Sequence, residues 1–414
     1  MEVKMKKIPL SLIGLAFLFS ITSWTFAAGK VEIFSWWTGG GEAQGLQALI
    51  TQFEKLNPGT KFVNATVAGG AGTNAQTLLK TKMLGGNPPD SFQVHGGAEL
   101  VNLYAKNRML EPITKLINFK NFNRQIIDLC SYQGQIYAVP VNIHRGNVLW
   151  ANSAVLKKYG IAMPNTIPKF IAACQKLQKF GIDALALGDT DKWEAIQLFE
   201  NTLAATLGPQ KYNGLWKGKT SFSDPGVKEA LGQFLEIVKY VNRDHSALGW
   251  QEAAAKVYDG KAAFTVMGDW AEGYFKSVGW APGKEFSYIA YPGTKGSFMV
   301  ITDTFPLPKG APNRKNAIIW LKTVASLQGQ DTFNPLKGSI PARLDGNHQC
   351  YDRYLQGSMT DFAKDILTPS IAHGIAAPGG FNVFLGNAIK ILMVNQDINE
   401  AAATIQRAAD RYLK

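Results

Sequence analysis

Val31-Glu32-Ile33-Phe34-Ser35-Trp36-Trp37-Thr38-Gly39-Gly40-Gly41-Glu42 is an apolar strand that runs into a glycine turn. Residues 43–56 follow, with Leu46, Leu49, Ile50 and Phe53 on one helix face, and Asn57-Pro58-Gly59 stops that helix. Residues 61–68 read as a second strand. Residues 75–83 form a helix ended by Gly85-Gly86-Asn87-Pro88-Pro89. Residues 91–95 are a third short strand, and Gly96-Gly97 opens another helix. Strands alternating with helices predict an α/β fold on a largely parallel sheet. In such sheets ligands bind beyond the carboxyl ends of the strands, near helix N-termini. The tandem tryptophans therefore face the crevice, and because side chains alternate, one indole enters it while the other packs. Three glycines let the backbone approach a ligand closely. The plainer reading is two core aromatics before a turn.

Further along, the strand 137–141 leads into 148–152. Helices and loops dominate residues 153–283, among them 227–240 with its stripe of Leu231, Phe234, Leu235 and Val238. Strand character returns at 287–291 and 298–301, and helices finish the chain. Strand-rich ends around a helix-rich middle imply discontinuous domains joined by several crossings. The 414 residues suffice for two or three domains at ~150 residues each.

The N-terminus points to export. Lys4, Lys6 and Lys7 precede the apolar run 9–26, and Thr25-Phe26-Ala27-Ala28 closes it with small residues. This is the three-part pattern of a secretory signal peptide cleaved after Ala27 or Ala28, and it predicts a periplasmic protein. Three cysteines are too few for a disulfide framework or a four-cysteine zinc site. A Cys130–Cys350 bridge stays open, and Cys174, on a face with Phe170 and Leu177, reads as a buried thiol. Lys and Arg number 43 against 31 Asp and Glu, but they are scattered in pairs such as Lys106/Arg108, Lys217/Lys219 and Arg314/Lys315. A nucleic-acid binder would gather them on one face, so they read as solvated surface.

Several patterns bear on chemistry. Gly70, Gly72 and Ala75 fit a dinucleotide fingerprint with Asp90 downstream. It follows the second strand rather than the first, and export separates the chain from the nicotinamide pool, so no cofactor is expected. His95, His144, His245, His348 and His373 lack metal-ligand spacing, and no metal is expected. No G-x-S-x-G nucleophile motif occurs. Glu42 and Asp303 would suit a secreted glycoside hydrolase as its carboxylate pair. Trp beside Gly and Glu also suits sugar binding, because an indole meets the C–H face of a pyranose and a carboxylate takes hydroxyl donors.

The motifs Phe34-Ser35-Trp36-Trp37-Thr38-Gly39-Gly40-Gly41-Glu42, Tyr137-Ala138-Val139-Pro140, Ile143-His144-Arg145, Met267-Gly268-Asp269-Trp270-Ala271, Pro292-Gly293-Thr294, Lys337-Gly338-Ser339-Ile340-Pro341 and Ala372-His373-Gly374 occur in this order behind the signal segment. In that order the chain resembles family 1 of the extracellular solute-binding proteins, the sugar-capturing components of ABC importers, and most of all their glucose-binding members. The resemblance implies a two-lobed, maltose-binding-protein-like fold with a hinge of several crossings. One lobe would be 28–140 plus 291–334, the other 141–290 plus 335–414, after a signal peptide of 1–27. It implies no enzyme activity and a monomer that hands a monosaccharide to permease subunits in the inner membrane. Carried over, Trp36, Trp37 and Trp270 supply aromatic walls, and Glu42, His95, Asp303, Lys337 and His373 bond hydroxyls.

Overall fold

The computed structural model describes residues 29–68 and 73–413. The expected signal peptide, Gly70 and Gly72 lie outside the described residues.

Lys30–Ser35 is the centre of a three-stranded parallel sheet, flanked by Lys61–Thr66 and Ser91–Phe92. The helix after it, Gly40–Leu56, starts inside the glycine run rather than beyond it and buries Leu46, Leu49, Ile50 and Phe53. Its glycines serve packing rather than a ligand. A Cβ on Gly41 would lie 2.3 Å from the Leu336 carbonyl oxygen and 2.8 Å from that of Gly273. Only a residue without Cβ lets three backbones meet there.

The other sheets correct the expectation of largely parallel pairing. Asp183–Ala186, Ala262–Val266, Val148–Asn152 and Phe286–Ala290 form a sheet in that order, and only its first pair is parallel. Ser297–Ile301 runs parallel to Ile366–Pro369 and antiparallel to His144–Arg145. Asp303–Pro308 is antiparallel to Val94–His95, Ala138–Pro140 and Leu110–Glu111. A parallel partner needs a crossover of about a dozen residues or more. Two buried strands, 183–186 and 262–266, interrupt the stretch expected to be helix and loop; the second is buried at every position, which erases the alternation that marks a strand. The helix expected after Gly96-Gly97 is a π-helical segment, Leu100–Ala105.

Two apolar cores result. One holds Val31, Ile33, Phe53, Phe92, Val139, Phe305 and Trp320; the other holds Leu149, Phe170, Phe199, Phe264, Phe381 and Ile405. Three chain segments, around residues 142, 302 and 340, lie side by side. The Val141 N–H donates to the Asp303 carbonyl, the Thr302 hydroxyl donates to the Asn142 carbonyl at 2.7 Å, and Ile143 and Ile340 exchange two backbone hydrogen bonds. The cysteines are free: Cys130 and Cys174 are buried and Cys350 is exposed, so no 130–350 bridge forms. No helix among the described residues is long and apolar enough to cross a membrane.

Candidate ligand-binding site

Trp36, Trp37, Glu42, His95, Trp270, Asp303, Lys337 and His373 all line one cavity of about 370 Å³. Strand and helix ends bring several of them there. Trp36 and Trp37 follow the strand Lys30–Ser35, Glu42 is in the first turn of its helix, Trp270 opens the helix Trp270–Ser277, and Lys337 closes Leu327–Lys337.

Asp303 is the polar centre. Gln93 Nε2 donates to its Oδ1 at 2.8 Å, and Asn142 Nδ2 donates to its Oδ2 at 2.8 Å. His144 Nε2 lies 3.4 Å from Oδ2 and His95 Nε2 lies 3.8 Å from Oδ1. Burial alone would push the Asp303 carboxyl up, but the His144 hydrogen bond and the charges of His95, His144 and Lys337 outweigh it and hold it far below the usual range. Asp303 is a fixed anion.

Two of the histidines that line the cavity are shifted in opposite directions. His95 Nδ1 is 2.8 Å from Glu99 Oε2. Burial pushes its pKa down, yet the Glu99 charge and hydrogen bond, with Asp303, leave it raised. His373 has no carboxylate on its ring; burial, then the charge of His95, hold its pKa well below the ordinary value. Their ring centroids are 5.5 Å apart. His144, which also lines the cavity, is pinned through Nδ1 by Asp269.

Trp36 and Trp37, just beyond the strand, are both buried and both line the cavity but pack on different partners. Trp37 is 2% exposed and packs on Phe333 and Phe305 at centroid distances of 4.9 and 5.8 Å, so it is mainly a core residue. Trp36 leans on His95 at 5.1 Å. Trp270 lies tilted against His373 at 5.0 Å and edge-on to His144 at 5.3 Å. Lys337 Nζ lies 2.9 Å from Glu42 Oε1 and about equally far from the Trp37 and Trp270 rings, at 5.8 and 5.6 Å.

Sequence reasoning missed Trp193. It lines the cavity, lies 5.2 Å from the His373 ring and 6.0 Å from Trp270, and its buried indole N–H has no hydrogen-bond partner among the described residues. The available signal was a turn, Gly188-Asp189-Thr190-Asp191-Lys192, running directly into a helix that begins with Trp. Gln93 and Asn142, which hold Asp303, were also missed. Asp90, the acid of the dinucleotide pattern, instead accepts from the backbone N–H groups of Glu32 and Asn313, which ties a strand to a helix start.

This arrangement presents aromatic faces, two fixed acceptors and charged donors around one small space, which suits a compact, hydroxyl-rich ligand. It does not suit glycoside hydrolysis. A general acid must be protonated near neutral pH, whereas Asp303 is held ionised, and Glu42 is tied to a lysine. Among the described residues no cluster of three or more potential metal ligands occurs.

The model of the bacterial extracellular solute-binding proteins matches residues 39–331. A Pyrococcus horikoshii protein named "Uncharacterized ABC transporter extracellular-binding protein" is 40% identical over 391 residues, 93% of this chain and 88% of its own length. The "Probable sugar-binding periplasmic protein" of Mesorhizobium japonicum is 32% identical over 86% of this chain and 88% of its own length. The solved bacterial solute receptor AcbH superposes with a TM-score of 0.80 at 20% identity, over 93% of this chain and 98% of that one, which shows a common fold. These matches are binding proteins rather than enzymes. The chain belongs to the bacterial extracellular solute-binding proteins and has their two-lobed, maltose-binding-protein-like fold.

Proposed function

We propose that the protein is the periplasmic sugar receptor of an ABC importer, that it takes one monosaccharide, D-glucose first, into the cavity around Asp303, and that it delivers the sugar to permease subunits as a monomer. The observation that carries this reading is the cavity itself: about 370 Å³, with Asp303 fixed as an acceptor, His95 held by Glu99 and Trp36 and Trp270 as apolar walls. A buried hydroxyl left unpaired costs ~1–3 kcal/mol, so each polar group on the wall selects for a matching hydroxyl. The relative from Mesorhizobium japonicum, named as a probable sugar-binding periplasmic protein, supports the sugar class and the compartment. Glucose follows from the resemblance to glucose-binding members. Cleavage after Ala27 or Ala28 is part of the reading.

Lobe boundaries at 28–140 plus 291–334 and 141–290 plus 335–414 put Trp36, Trp37, Glu42, His95 and Asp303 on one side and Trp270, Lys337 and His373 on the other. Sugar would then favour closure, because only the closed arrangement offers every contact. The test is thermal stabilisation against a monosaccharide panel, followed by a product assay on each hit. Stabilisation without product is expected. Stabilisation only by long oligosaccharides, or turnover of a glycoside, would overturn the reading.

A further inference from the structure

Behind His373 runs a chain of polar contacts that sugar binding by the cavity wall leaves unused. Glu200, in the helix Trp193–Leu215, is fully buried. Its Oε2 accepts the backbone N–H groups of Ile371 and Ala372, at 2.5 and 3.1 Å. Ser370 Oγ donates to the same carboxylate, 2.9 Å from Oε1 and 3.2 Å from Oε2, and lies 3.0 Å from His373 Nδ1. A hydroxyl has one proton. When Ser370 gives it to the carboxylate, Oγ is left only as an acceptor, and the ring must place its own proton on Nδ1.

The ring carries no second proton, since burial and the neighbouring charge of His95 disfavour it. Nε2 therefore keeps its lone pair, and it has no hydrogen-bond partner among the described residues. His95 is the reverse case. Glu99 on Nδ1 and Asp303 near Nε2 favour a proton on both nitrogens. Two rings 5.5 Å apart thus present an acceptor and a donor at the same cavity.

We propose that Glu200 is a positioning residue: through Ser370 it fixes His373 as a hydrogen-bond acceptor toward the cavity, so that a ligand hydroxyl donates to His373 while another accepts from His95. The inference rests on the reading of the cavity as a site for a hydroxylated ligand. Burial pushes the Glu200 carboxyl up to about 7 against the bonds from Ala372, Ser370 and Ile371, so the relay is set above that pH. Tyr212 is the titratable neighbour of Glu200; His95, Asp303, His144 and Lys337 are those of His373.

Nitrogen-15 NMR of ring-labelled histidines reads the tautomer directly, in the unliganded mature protein at about pH 8.5, with His373→Ala for assignment. Wild type should show a protonated Nδ1 and a bare Nε2 on His373. Ser370→Ala and Glu200→Gln should move the proton to Nε2 and weaken D-glucose binding by roughly fivefold or more in calorimetry. A wild-type His373 protonated on Nε2, or variants that keep the wild-type tautomer, would overturn the proposal. If Glu200→Gln fails to fold, wild type and Ser370→Ala still decide. A wild-type Nδ1 tautomer with no heat from D-glucose or any other monosaccharide would support the positioning role and sink the sugar reading.

Discussion

Lys337 donates to Glu42 across 2.9 Å, and this pair joins the helix Gly40–Leu56 to the last residue of Leu327–Lys337 at the rim of the cavity. The resemblance gave each residue a separate role as a hydroxyl partner. In the structure they first hold each other. Lys337 is 2% exposed, so its stem is packed, and Glu42 is the carboxylate that pairs directly with its buried charge. Lys337→Met should keep the packing, remove the donor and strand the Glu42 carboxylate. We expect unfolding free energy to fall by ~1–3 kcal/mol, and a double-mutant cycle with Glu42→Gln to show coupling of ~0.5–3 kcal/mol in denaturant titrations. Additive effects would mean that the pair contributes nothing.

The tandem tryptophans should separate by experiment. Trp37→Ala removes a ring packed on Phe305 and Phe333 and should cost ~3–5 kcal/mol of stability. Trp36→Ala should leave most of the stability and weaken sugar binding by at least ~1 kcal/mol. Melting temperature and calorimetric affinity for both variants check the division; the opposite assignment would show that the indoles face the other way in solution.

Gly41→Ala tests the close backbone meeting. The added methyl has the Leu336 carbonyl 2.3 Å away and the Gly273 backbone at 2.8 Å, and backbone does not rotate aside. Overpacking of this kind costs ~1–3 kcal/mol. Because Gly273 belongs to the helix that begins with Trp270, the variant should also weaken sugar-induced compaction in X-ray scattering. Unchanged stability and compaction would show that the three backbones do not meet in solution.

Glu200 sets a pH dependence with a definite sign. Its pKa is raised on folding from the ordinary carboxylate value to about 7, so its contribution to stability is complete below the unfolded value and is lost as pH rises through about 7. His373 acts oppositely: its folded pKa is depressed, the unfolded chain binds the proton more readily, and stability is lost as pH falls below about 6.5. Glu200→Gln should therefore flatten the fall in stability between about pH 5 and 7 and leave the acid-side loss from His373 in place. Denaturant midpoints measured across that range decide it; a variant with the wild-type slope would contradict the assignment.

The strand–turn–helix at residues 30–56 and the order of the short motifs were legible because they depend on local pattern: an apolar run, a glycine turn, one apolar helix face. All eight candidate site residues line one cavity, but as a set they were named through the family resemblance of the short motifs rather than from local pattern. What was not legible depends on distant partners. Nothing local to Gln93 or Asn142 announces that both will bond Asp303, more than 150 residues away in sequence. Nothing local to Glu200 announces Ser370. Antiparallel pairing was invisible because a buried strand such as 262–266 carries no alternation and no sign of direction. Gly41 was read as room for a ligand because the sequence shows that space is needed without showing what fills it.

Calorimetric titration of D-glucose into the mature protein and into Asp303→Asn, side by side, tests the central claim most directly. The variant keeps the size of the side chain but turns an N–H toward the Gln93 or Asn142 donors and ends the fixed anion. The account predicts saturation of wild type at one sugar per chain, and binding at least ~10-fold weaker in the variant, since hydrogen bonds to charged groups are worth ~1.5–3 kcal/mol. Equal heats from both proteins, or no heat from wild type with any monosaccharide, would contradict it.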